Sequence, residues 1–197
     1  MLEEYVQPNV IAEIGCNHKG DMVIAKQLLD IAAESGVQIV KFQKRTNREL
    51  LTKEQYNAPH PNPIHAYGIT YGEHREFLEF DLDQHKELKL YAEDLGMIYS
   101  SSVWDVTAAK EIISLKPDFI KVPSACNNHF NMLQVLRDEY NGQVHISFGM
   151  TKREEEEEIV CFFEKNNQSK RLVLYACTSG YPVPFNDVCM LEISRLR

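Results

Sequence analysis

Short β-branched runs alternate with amphipathic stretches along nearly the whole chain. Runs at 9–15, 38–44, 97–102, 118–124, 144–149 and 172–177 are apolar and about the length of strands. Between them, Ile24, Leu28, Ile31 and Ala32 recur at helical spacing, as do Leu88, Tyr91, Ala92 and Leu95. Gly36 and Gly96 stand where helix C-terminal caps belong, each just before a strand. Thr151 with Glu154 three residues on predicts a capping box opening a helix that buries Ile159, Phe162 and Phe163. The acidic run 154–158 then reads as a solvated first turn favoured by the helix dipole.

Strands alternating with helices predict a parallel sheet built by right-handed crossovers, either a barrel or an open doubly wound sheet. No GxGxxG follows any strand, which weakens the dinucleotide-binding version of the open sheet. Period-two alternation favours the barrel. Lys41 and Gln43 share one face of the second strand while Val40 and Phe42 share the other. Lys121 opposes Ile120 and Val122 in the fourth strand; His145 and Ser147 oppose Val144, Ile146 and Phe148 in the fifth. Apolar faces would pack on helices, and the polar ones would face a barrel interior near the strand C-termini, where such folds keep their active sites. The fold class expected is therefore α/β, a (β/α)8 TIM barrel of which about six of eight units are present.

With 197 residues, 21 Lys+Arg and 29 Asp+Glu, the chain carries a formal charge of −8 and no basic cluster, which argues against a nucleic-acid partner. No apolar run approaches the ~18 residues of a membrane span, and the N-terminus lacks the pattern of a secretory signal, so a cytoplasmic location is expected. Five cysteines without CxxC spacing read as reduced, small buried side chains. The seven histidines show no ligand spacing and read as surface or loop residues. Segment 45–83, rich in Pro, Asn and His, separates the second strand from its helix; it is either a functional loop or a surface insertion.

Against this acidic background, Lys41 and Lys121 inside apolar strands are the strongest chemical signal, because a buried lysine is costly without an anion. Ser102, Ser124, Ser147, Gly149, Thr178 and Ser179 end neighbouring strands with small donors. Ammonium groups ringed by hydroxyls suit a phosphate or carboxylate. Two alternatives stay open: each lysine merely pairs with a carboxylate such as Glu13, or one is a Schiff-base nucleophile.

The segments IAEIGCNHKGD (11–21), IVKFQK (39–44), TYGEHREFLEF (70–80), IKVPSACNN (120–128), SFGM (147–150) and ACTSGYPVPFNDV (176–188) together resemble the sialic acid synthase family, which includes the N-acetylneuraminate, legionaminate and pseudaminate synthases. The resemblance runs in order over essentially the whole chain. It implies condensation of phosphoenolpyruvate with N-acetylmannosamine or a related N-acylated hexosamine, giving a nonulosonic acid and phosphate. A divalent metal, Mn2+ or Mg2+, polarises the sugar aldehyde in that family, and full-length members are expected to be homodimers. By the same resemblance Lys41, Lys121, Ser102, Ser124, Ser147 and Ser179 hold phosphoenolpyruvate, while Glu13, Gln43 and Tyr181 line the reaction centre. His65 is the expected contact with the distal end of the sugar, where it could accept a hydroxyl or, protonated, pair with a phosphate.

Three departures accompany the resemblance. Ala125-Cys126 stands where many members carry an acidic residue. His65 replaces a frequent Asn. The family's two metal-binding histidines and its antifreeze-like C-terminal domain fall beyond residue 197. The whole of 1–197 is accordingly expected to be a partial barrel domain, inactive as a synthase by itself. A pyruvate aldolase and a non-catalytic anion-binding remnant are the competing functional readings.

Overall fold

The computed structural model describes residues 7–197. Six strands alternate with helices in chain order. β1 (Ile11–Gly15) leads to α1 (Met22–Glu34). β2 (Ile39–Lys44) leads into an excursion that carries α2 (Asn47–Leu50), α3 (Lys53–Asn57) and α4 (Tyr71–Phe77) before α5 (Leu82–Asp94). β3 (Ile98–Val103) and α6 (Val106–Ser114) follow, then β4 (Phe119–Val122), α7 (Phe130–Asp138), β5 (Gln143–Ser147), α8 (Arg153–Glu164), β6 (Leu172–Tyr175) and α9 (Glu192–Arg195). Segment 45–83 is thus folded into short helices rather than a bare loop.

Local signals set the boundaries. Asp21 caps α1, its carboxylate accepting the Val23 and Ile24 N–H groups at 2.7 and 3.3 Å. Thr70 with Glu73, and Asp81 with Gln84, make reciprocal caps at the starts of α4 and α5. Gly36 and Gly96, at φ 75° and 76°, end α1 and α5 in the left-handed region, as their positions predict.

The sheet is wholly parallel with strand order β1-β2-β3-β4-β5-β6. A doubly wound sheet reverses its order at a switch point; this one never does, so the open alternative falls. Among the described residues β1 pairs only with β2, and β6 only with β5. The outward face carries Val40, Phe42, Ile120, Val122, Val144 and Ile146, all buried beneath the helices. They belong to two apolar clusters, one under α1 and α5 and one under α6, α7 and α8.

Several expectations need correction. On α1 the buried positions are Ala25, Leu29 and Ala32, and Ile31 is exposed, because the helix turns its small residues toward the strands. α8 begins one residue later than expected: the Lys152 N–H donates to Glu155 at 2.8 Å, and Thr151 is not the cap. Within the acidic run Glu156 is buried and pairs with Arg195 at 2.7 Å, so that turn is not solvated throughout. All five cysteines are free thiols, yet Cys161, Cys177 and Cys189 are exposed and only Cys126 is buried. Three histidines lie in the core rather than at the surface. His18 stacks on Phe80 with ring centroids 3.9 Å apart, His145 stacks on Phe119 at 4.1 Å, and His85 Nδ1 lies 2.7 Å from the Tyr99 hydroxyl. Burial pushes the three down to about 4, about 4 and about 3, so they are neutral packing elements at pH 7.

Candidate functional site

The inward face of the sheet lines one cavity of about 690 Å³. Each strand contributes to it: Glu13 from β1, Lys41 and Gln43 from β2, Ser102 from β3, Lys121 from β4, Ser147 from β5 and Tyr175 from β6. Register explains the convergence. Glu13 is level with Lys41, Gln43 with Ser102, and Ser102 with Lys121, so side chains two residues apart along each strand stack into one polar wall. The loops after β4 and β6 add Ser124, Ser179 and Tyr181 at the rim.

Nine of the ten residues that the resemblance assigns to the site meet here. Tyr181 does so as a fully exposed side chain at the mouth. His65 does not: it ends the 3-10 turn Pro63–His65, is exposed, and is absent from the cavity lining. Trp104, immediately after β3, also lines the cavity and was missed, although its position one residue past a strand of serines marks it as part of the rim.

The two lysines differ in their surroundings. Lys41 forms an ion pair with Glu13 and donates to Ser102 Oγ at 3.1 Å. Lys121 donates to Ser147 Oγ at 2.6 Å and to the Val122 carbonyl at 2.7 Å, and lies 4.9 Å over the Tyr175 ring. No carboxylate pairs with Lys121 among the described residues. Burial pushes the Lys41 ammonium down to about 8; Glu13, facing it, favours its charged form. Burial, and then the charge of Lys41, push Lys121 down to about 7. An uncompensated buried cation on a cavity wall is a site prepared for an anion.

The serines complete the logic. Ser102 Oγ accepts from Lys41, Ser147 Oγ from Lys121, and Ser124 Oγ from the Gly149 N–H at 3.0 Å. Each hydroxyl thereby has a lone pair engaged by a donor and its own hydrogen left to point elsewhere. Three such O–H groups beside two ammoniums make a donor-rich surface. A Cβ on Gly149 would come within 2.2 Å of Ser179 Oγ and 2.7 Å of Ser124 Oγ, so glycine is what lets the two hydroxyls converge. Beyond the rim Arg45, at the end of β2, forms a buried ion pair with Glu79 and sits 3.2 Å from Cys16. Among the described residues no group of three or more His, Cys, Asp or Glu side chains is arranged to hold a metal ion.

Binding of an anion to this wall would depend on pH in a defined direction. An anion would bind the protonated amines, which burial pushes down to about 7 and about 8. Affinity for a phosphate ester should therefore be strongest near pH 7 and fall as pH rises toward 9, by up to about tenfold per pH unit for each lysine. The phosphate itself becomes dianionic above about pH 6 and adds no slope in that window. Titrations at pH 7, 8 and 9 check this, and a flat profile would contradict it.

The chain is 34% identical over 185 residues to human N-acetylneuraminate-9-phosphate synthase, covering 94% of this chain and 50% of that protein. It is 31% identical over 189 residues to N,N'-diacetyllegionaminic acid synthase of Campylobacter jejuni, covering 95% and 56%. It spans about half the length of the curated relatives it matches. Among solved structures, the N-acetylneuraminic acid synthetase of Leptospira borgpetersenii, crystallised with citrate, superposes with a TM-score of 0.79 at 22% identity, over 98% of this chain and 66% of that one. That likeness is one of fold. The NeuB family model matches residues 28–197, from the middle of α1 through every strand after it, and the chain therefore belongs to the NeuB family.

Proposed function

We propose that residues 7–197 form the phosphoenolpyruvate-binding wall of a nonulosonic acid synthase, which joins phosphoenolpyruvate to N-acetylmannosamine or a related N-acylated hexosamine and releases phosphate. The observation that carries this reading is Lys121, a buried cation without a carboxylate partner among the described residues, level with Ser102 and bonded to Ser147 on one cavity wall. Lys41, Lys121, Ser102, Ser124, Ser147 and Ser179 hold the phosphate and carboxylate. In the reaction, C3 of the enol phosphate attacks the sugar aldehyde, whose oxygen takes a proton to become a hydroxyl; water adds to the cation left at C2 and gives up a proton, and the tetrahedral intermediate collapses to the ketone with loss of phosphate. Donors fixed before the reaction stabilise the negative charge that gathers on the departing phosphate. Glu13, ion-paired to Lys41 and open to the cavity, is placed to take a proton from water or return one. Gln43 and Tyr181 meet the sugar in this reading, and His65, outside the cavity lining, would meet only its distal end.

On this reading the six strands are part of a (β/α)8 barrel, the complete protein is a cytoplasmic homodimer, and a divalent metal, Mn2+ or Mg2+, is supplied by residues outside 7–197. No helix among the described residues is long and apolar enough to cross a membrane.

Isothermal titration of the 197-residue chain with phosphoenolpyruvate tests the proposal directly. Saturable binding that inorganic phosphate competes away is expected. Absence of binding overturns the reading, as does a borohydride-trapped pyruvate adduct on Lys41 or Lys121, which would make the protein a Schiff-base enzyme instead.

A further inference from the structure

We propose that Asn127 is a positioning residue for the anion cradle, holding the turn after β5 in a strained shape that keeps Ser124, Ser147 and Gly149 aimed at a bound phosphate. This rests on the reading of the cavity as a phosphoenolpyruvate site and names a residue that acts on it from behind.

Asn127 follows the 3-10 turn Ser124–Cys126 at the end of β4 and is only 3% exposed. Its side-chain amide donates to the Ser147 carbonyl at 2.8 Å and to Thr151 Oγ1 at 2.6 Å, which uses both hydrogens. Thr151 in turn donates to the Gly149 carbonyl at 2.9 Å, and the Gly149 N–H reaches Ser124 Oγ at 3.0 Å. One amide thus closes a ring of bonds joining the loop after β4 to the turn after β5, the two segments that bear the cradle.

Inside that ring sits Met150 at φ 57°, with its side chain 72% exposed on the cavity rim. The left-handed region disfavours a residue with a Cβ, and an exposed methionine gains no packing in return. Such a conformation persists when the surroundings over-determine it, and it concentrates at functional sites. Here the over-determining contacts are the two bonds on either side of Met150: Asn127 to the Ser147 carbonyl and Asn127 to Thr151. Without them the turn can relax, carrying the Gly149 N–H away from Ser124 and Ser147 away from Lys121. Ser147 also accepts from Lys121 at 2.6 Å, so the relaxation reaches the charge at the centre of the site.

A double-variant titration tests this. Asn127→Ala should weaken phosphoenolpyruvate binding by about tenfold, the scale of one net hydrogen bond. Adding Met150→Gly to that variant should recover most of the loss, because glycine adopts the left-handed turn without the bonds. A purely structural role would lower the unfolding midpoint of Asn127→Ala without a recovery of affinity by Met150→Gly. If Asn127→Ala fails to fold, Thr151→Val removes the shared hydroxyl alone and should weaken binding in the same direction. Wild-type affinity in folded Asn127→Ala or Thr151→Val, or no recovery in the double variant, overturns the inference. Failure of the unmodified chain to bind phosphoenolpyruvate or inorganic phosphate overturns the functional reading instead, so the two failures are distinct.

Discussion

Replacing Lys121 by methionine should weaken phosphoenolpyruvate binding by at least about a hundredfold, the scale of removing a preorganised charge contact. The same substitution should leave the fold intact and raise its unfolding midpoint. Lys121 is buried against a hydroxyl, a carbonyl and an aromatic face, with the like charge of Lys41 nearby. An apolar side chain of similar length fills that volume without desolvating a charge. Opposite signs for affinity and stability are the signature of a residue kept for binding. Isothermal titration and thermal unfolding measure the two effects, and wild-type affinity in Lys121→Met would remove Lys121 from the site.

The second large effect concerns stability alone. Glu79→Ala should cost about 3–5 kcal/mol, because it leaves a buried guanidinium without its counter-charge. Arg45 and Glu79 side chains are 8% and 6% exposed, and the Arg45 backbone N–H also donates to the Glu79 carboxylate at 3.0 Å. This pair ties the end of β2 to the stretch between α4 and α5, and the excursion is fastened further by the Thr46 N–H on the Asp105 carboxylate and by Thr107 on Glu49. Glu79→Gln, which keeps an acceptor, should lose less. Denaturant unfolding of the three proteins gives the order, and equal stability of wild type and Glu79→Ala would show the pair to be dispensable.

Much of this was legible in the residues because strands advertise their two faces. A lysine and a glutamine at positions 41 and 43, separated by a phenylalanine that ends in the core, can only mean one polar and one apolar side. The six strands followed from their apolar runs, and the inward placement of Lys41, Gln43, Lys121 and Ser147 followed from that rule. Helices were less explicit. On α1 the pattern admitted a stripe through Ile31, whereas close packing on the sheet selects the side with Ala25 and Ala32. The acidic run hid one inward glutamate, because burial of Glu156 depends on Arg195, thirty-nine residues away. His18, His85 and His145 were misjudged for a similar reason: stacking partners such as Phe80 and Phe119 come from elsewhere in the chain. Thr151 looked like a helix cap because Glu154 follows at the right spacing; its actual partners, Asn127 and Gly149, meet only once β4 and β5 are paired. Loop-borne residues were least legible, and His65 shows it, since no periodicity constrains where a turn carries its side chain.

The strand order has a consequence for how the molecule is made. Because spatial order repeats chain order without a reversal, each strand–helix unit meets its neighbour as soon as both have been synthesised. β2 can settle on β1, and β3 on β2, while later segments are still emerging from the ribosome, so among the six described strands no pairing has to span more than one unit. Assembly by accretion orders the site in time as well as space. The Glu13–Lys41 pair forms first, Ser102 next, and Lys121 gains Ser147 only when β5 arrives. Lys121 thus enters after Lys41 and Ser102 but before Ser147 and Tyr175, the neighbours that shelter it.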